Sequence, residues 1–82
     1  MIKMDNIKAN NLRKEIMKDC FNNKIGEDDI KVGLSVRHTG YFTVIIKKEI
    51  IKNNVLDCIK SKIKRLDIHE SKDKSALIID EP

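Results

Sequence analysis

The apolar residues of this chain change their spacing from four to two between residues 12 and 46, and no single kind of secondary structure accommodates both periods. Leu12, Ile16 and Cys20 recur every fourth residue, with Arg13, Lys14, Glu15, Lys18 and Asp19 between them. That spacing draws one apolar stripe along a helix. Asn10 or Asn11 is its expected cap, and Asn22-Asn23 followed by Gly26 places its end near residue 22. Ile30, Val32, Leu34 and Val36 then alternate with Lys31, Gly33, Ser35 and Arg37, the pattern of a half-buried strand. His38-Thr39-Gly40 interrupts the alternation before Phe42, Val44 and Ile46 resume it, so a β-hairpin is expected to turn at residues 38 to 40. Its polar face would carry Arg37 on one strand and Tyr41, Thr43 and Lys47 on the other.

Asn53 or Asn54 caps a second helical pattern, in which Val55, Ile59 and Ile63 form an i, i+4, i+8 row. Lys60, Lys62, Lys64 and Arg65 crowd its last turns, where cations suit the helix dipole as well as an anionic ligand. Leu66 with Ile68, and then Ala76 to Ile79, read as two short strands separated by a turn over Glu70 to Ser75. The expected fold is α+β, in the order α-β-β-α-β(-β). It is a two-layer sandwich, with two helices on one face of a small antiparallel sheet and the other face partly wet. With 82 residues the chain makes one domain, 1–82, whose ends at 1–8 and 80–82 are expected to be flexible.

That size excludes large catalytic architectures, because a domain this small buries only about 60% of the surface its unfolded chain exposes. Fourteen isoleucines, within a hydrophobic fraction of 40%, exclude wholesale disorder. Lys and Arg number 17 against 13 Asp and Glu, for a net charge of +4. The excess is lopsided: residues 47 to 65 hold seven cations and two anions, and residues 66 to 82 hold two and five. Such a field favours an anionic partner for the 47–65 segment, while AT-rich coding produces the same abundance of lysine.

The longest apolar run, Ala76 to Ile79, is far short of the roughly 20 residues that span a bilayer, so no membrane segment is expected. Two cysteines in a lysine-rich chain without a leader imply the reducing cytoplasm. Cys20 and Cys58 are there expected to be free and to pack as small hydrophobes.

Constellations for chemistry are sparse. Cys20, Cys58, His38 and His69 are zinc-ligand types, but no two stand two to four positions apart, so neither metal nor cofactor is expected. Gly26, Gly33 and Gly40 form no phosphate loop. Arg37-His38-Thr39-Gly40-Tyr41 at the hairpin tip is the one cluster of catalytic type, since histidine exchanges protons near neutrality and arginine holds phosphate. A helix followed by a histidine-bearing hairpin resembles, in outline, small toxin nucleases of the double-stranded-RNA-binding fold, which implies a ribonuclease using His38. Without catalysis, Arg37, Lys47, Lys48, Lys60, Lys62, Lys64 and Arg65 are the residues that would track RNA or DNA phosphates. Aromatic residues are too few for base stacking.

Ala9-x-x-Leu12-Arg13-Lys14-Glu15, followed by a strand ending Leu34-Ser35-Val36-Arg37, resembles a small domain of the large polyvalent proteins of phages and conjugative elements. The resemblance covers about residues 9 to 37. It implies a helix packed on a hairpin and a part in establishing mobile DNA against host defences. In size and Lys/Ile/Asn-rich composition the chain is also similar to phage anti-CRISPR proteins. The expected function is then a non-enzymatic inhibitor, monomeric or homodimeric, that binds a host defence protein or ribonucleoprotein in the bacterial cytoplasm. Its contact residues would be Arg37, His38, Tyr41, Thr43, Lys47 and Lys48 on the hairpin and Lys60, Lys62, Lys64 and Arg65 on the second helix. A stand-alone nucleic-acid-binding module is the alternative.

Overall fold

The computed structural model describes residues 4–62 and 67–81, and Asn53 by its backbone alone. The elements follow in the order α1 (Asn6–Asp19), β1 (Ile30–Leu34), β2 (Phe42–Lys47), α2 (Asn53–Lys62), β3 (Asp67–Glu70) and β4 (Ala76–Asp80). One-turn 3-10 helices, Glu27–Asp29 and Lys48–Ile50, lead into β1 and α2. The strands form one antiparallel sheet in the order β1-β2-β4-β3, so the α+β class and the antiparallel sheet are as the hydrophobic periods predict.

The ends of the elements differ from expectation for identifiable reasons. α1 starts before Asn10 and Asn11 because Asp5 takes the capping role: its carboxylate accepts the Lys8 N–H at 2.7 Å. Asn10 sits inside the helix and donates back to the Asn6 carbonyl. The helix stops at Asp19, and Asn22 and Asn23 follow at φ 53° and 57°, their N–H groups returning to Lys18 and Met17. Within the ends expected to be flexible, 1–8 and 80–82, Met4 and Asp80 are each 1% exposed. Pro82 and residues 1–3 lie outside the described residues, as do Ile63, Lys64, Arg65 and Leu66.

Register decides what is inside. Ile30 pairs with Ile46, Val32 with Val44, and Val44 and Ile68 both with Ile79, which aligns these side chains on one sheet face. Ala9, Leu12 and Ile16 of α1 and Val55 and Ile59 of α2 complete the core beneath them. Burial of one such aliphatic side chain stabilises the fold by about 1.5–3 kcal/mol. The alternation predicted through Val36 ends earlier: β1 stops at Leu34, and Leu34 and Val36 are 71% and 84% exposed.

The largest correction concerns the cysteines. Cys20 and Cys58 are not free: they form a disulfide, with Cα atoms 5.7 Å apart. The apolar stripes of the two helices, with Cys20 packed against the core, bring the end of α1 alongside α2, so that the two cysteines come within bonding reach. Lys62 of α2 pairs with Asp19 of α1 beside the bond. Among the described residues no helix is long and apolar enough to cross a membrane.

Candidate functional site

The sheet face turned away from α1 carries Gly33 of β1, Thr43 and Ile45 of β2, Ile78 and Asp80 of β4, and Asp67 and His69 of β3, as the alternation and register require. This face was expected to be partly wet, and at one end the connection between β1 and β2, residues 35–41, folds over it. Ser35 is the first hold: its hydroxyl donates to Asp80 Oδ1 at 2.9 Å and accepts the His38 backbone N–H at 3.1 Å. The Arg37 guanidinium is the second, in an ion pair with Asp67. Within the loop, the Ser35 N–H donates to the Tyr41 carbonyl and the Tyr41 N–H to the His38 carbonyl, both at 3.0 Å. Gly40 closes this turn at φ 86°, a conformation that a side chain would strain.

Under the loop lies a hydrogen-bonded chain of side chains. His69 Nε2 is 2.8 Å from Asp80 Oδ2, while Ser35 occupies the other carboxylate oxygen. Burial pushes the Asp80 carboxyl up. Hydrogen bonds from the His69 ring and the Ser35 hydroxyl outweigh that and hold it below the usual carboxylate range. Asp67 stands directly opposite Asp80 across the β3–β4 pair, and two carboxylates facing each other in this way repel unless cations attend them. The Arg37 guanidinium meets Asp67, and the His69 ring is hydrogen-bonded to Asp80.

Asp67, His69 and Asp80 each offer one ligand atom, all within 4.8 Å of one another. They are the residues that could hold a metal ion, a set of a different type from the Cys and His pairs considered in the sequence. Both carboxylates already have partners within the protein, and a metal would have to displace them. The order Ser–Asp–His also differs from a nucleophilic triad, in which histidine stands between serine and acid: here the serine proton points at the carboxylate, and nothing activates the hydroxyl.

Beside the loop, Val36, Arg37, His69, Glu70, Lys72 and Ile78 line a groove of about 420 Å³, with an apolar floor and charged walls. The residues expected at a site distribute unevenly around it. Arg37 is in the groove wall, and Tyr41 is partly exposed in the same loop. Thr43 is corrected: it is 2% exposed and donates to the Ile79 carbonyl at 2.7 Å, because the loop covers its end of the face. His38 Nε2 is enclosed and has no hydrogen-bond partner among the described residues, a poor position for exchanging protons with a phosphodiester.

The lysines are elsewhere and largely engaged. Lys47 pairs with Asp29 at 3.5 Å, Lys48 with Glu70 at 3.1 Å, and Lys62 with Asp19. Lys47 and Lys48 share a second groove, of about 470 Å³, with Lys74 at the far end of the sheet. Lys60 is exposed on α2, and Lys64 and Arg65 lie outside the described residues. Among the described residues, Lys47, Lys60 and Lys62 do not line the groove with Arg37, and Lys48 reaches its wall through Glu70. His69, Asp67, Asp80 and Ser35 went unnoticed in the sequence as a group. Only the alternate placement of Asp67 and His69 signals that they share a face, and nothing local links Ser35 to a residue 45 positions away.

No protein-family model matches the chain, and comparison with curated proteins and with solved structures gives no match either.

Proposed function

We propose that the chain is a non-enzymatic binding module that docks on a protein through the 35–41 loop and the groove beside it. The observation that carries this reading is Val36, a branched aliphatic residue 84% exposed on a loop held from below at Asp80 and Asp67. An exposed apolar residue on a tethered loop loses little conformational entropy when it is covered, which is how a small interface gains affinity. Arg37 beside it and the apolar floor at Ile78 supply the mixed character of an interface centre. A nucleic-acid surface has less support, because Arg37, Lys47, Lys48 and Lys62 are each engaged with a carboxylate of the chain itself.

In the light of the resemblance to mobile-element and anti-CRISPR proteins, the partner is a subunit of a bacterial defence complex, and binding blocks it. Action in the bacterial cytoplasm requires this surface to outlast reduction of Cys20–Cys58. It then depends on the net stability that remains once the bond's contribution is gone, which unfolding in reductant measures.

The test is capture of purified defence complexes by the tagged chain and by Val36→Asp, each with and without nuclease treatment. The expected result is nuclease-resistant retention of one subunit by the parent and its loss from Val36→Asp at unchanged melting temperature. Equal retention by both would refute the assignment of this surface, and recovery that disappears with nuclease would replace it with a nucleic-acid partner.

A further inference from the structure

A different surface, the outer edge of β1, carries an inference that does not depend on the docking loop. β1 is an edge strand: β2 covers one side, and among the described residues no strand pairs with the other. The phase of its hydrogen bonds follows from one contact. The Ser35 N–H reaches the Tyr41 carbonyl, so the odd residues 31, 33 and 35 face β2 and the even residues 30, 32 and 34 turn their backbone groups outward. Arg13 agrees with that phase, donating from Nε to the outward carbonyl of Ile30 at 2.8 Å. Outward groups remain at Val32 and Leu34, together with the Ile30 N–H and the second lone pair of its carbonyl.

We propose that this edge pairs with the same edge of a second copy, antiparallel about a two-fold axis at Val32, to join two sheets into one of eight strands. The register is self-complementary in three respects. Val32 meets its symmetry mate, and Ile30 meets Leu34 on either side, so all outward groups find partners: two hydrogen bonds at the axis and two at each flanking pair. Lys31 falls opposite Gly33, so no like charges oppose each other directly. Leu34, 71% exposed in the single chain, lands against Ile30 of the partner, where Asn10, Arg13, Ile30 and Val32 line a cleft of about 410 Å³ between α1 and the edge. A protruding leucine and a cleft that recur on both copies are what an isologous interface needs. The edge has neither proline nor a bulge, and its charges are Lys31 in the strand and the Arg13 guanidinium on the Ile30 carbonyl.

Sedimentation equilibrium of the full oxidised chain up to about 1 mM, with amide exchange followed by NMR at both ends of the range, tests this. The expected mass rises from 9.5 kDa towards twice that value. Over the same range exchange at the Val32 and Leu34 amides slows about tenfold, and at Lys31 and Gly33, already bonded to β2, it is unchanged. Leu34→Lys, at an exposed position that should leave the fold intact, weakens association about tenfold or more at unchanged melting temperature. A mass of 9.5 kDa throughout, which is also the outcome if the edge instead takes a strand from a foreign protein, overturns the proposal. So does association that leaves the Val32 amide unaffected or that Leu34→Lys does not weaken.

Discussion

Replacing both Cys20 and Cys58 with serine removes the one covalent link between α1 and α2, and the size of the loss follows from the length of chain the bond closes. The cysteines are 38 residues apart, and for a loop of that length the chain-entropy account gives about 3.9 kcal/mol at 25 °C. A domain of this size has a total stability of about 4–12 kcal/mol, so the bond supplies between a third and nearly all of it. At about 4–8 °C per kcal/mol for such a domain, the melting temperature should fall by about 15–30 °C.

The native structure limits how local the damage is. Val55 and Ile59 still anchor α2 in the core without the bond, so most of the effect acts on the unfolded chain, which regains the freedom the cross-link denied it. Urea unfolding of the parent, of the parent in reductant and of the double-serine chain measures this. The midpoints of the last two should coincide and lie well below that of the oxidised parent. A double-serine chain within about 1 kcal/mol of the oxidised parent would refute the reasoning, since it would mean that the cross-link restricts the unfolded chain far less than its span requires.

Ile59→Ala, which empties the buried anchor of α2, should cost about 2–5 kcal/mol in the oxidised protein by thermal or urea unfolding. Ser35→Ala removes the donor to a buried carboxylate oxygen and should cost about 1–3 kcal/mol, with faster amide exchange in residues 35–41 as its local signature. Acid should destabilise the fold. Asp80 is held below the usual carboxylate range, and hydrogen bonds from Ser75 and Ser71 bring Asp73 down to about 2. Because the unfolded chain binds these protons first, their contribution is whole above about pH 4 and is lost as pH falls towards 2. Urea midpoints at pH 7, 4 and 2.5 test that sign, and a midpoint that rises on acidification would contradict it.

How much of this was legible in the sequence depended on whether the cause was local. The change of apolar period at residues 12–46 marks α1, β1 and β2 because side-chain direction follows from backbone geometry alone. The helix cap was misplaced because Asn10 and Asp5 are both good caps, and the choice rests on how far Met4 reaches into the core. Thr43 was placed on the wet face by correct alternation. It is buried because a loop crosses that face, which no period can report. The disulfide and the Ser35–Asp80–His69 chain share that origin: they join residues 38, 45 and 11 positions apart, brought together only by the packing of whole elements.

The central claim is that residues 35–41 form a tethered surface that displays Val36, and backbone order parameters from NMR relaxation test it most directly. Values near those of rigid backbone, about 0.85, across Val36 to Tyr41 are the predicted result, with a drop in Ser35→Ala. Values below about 0.6 in the parent would contradict it, because a loop that mobile is not held at Asp80 and Asp67 and offers no ready-made face to a partner.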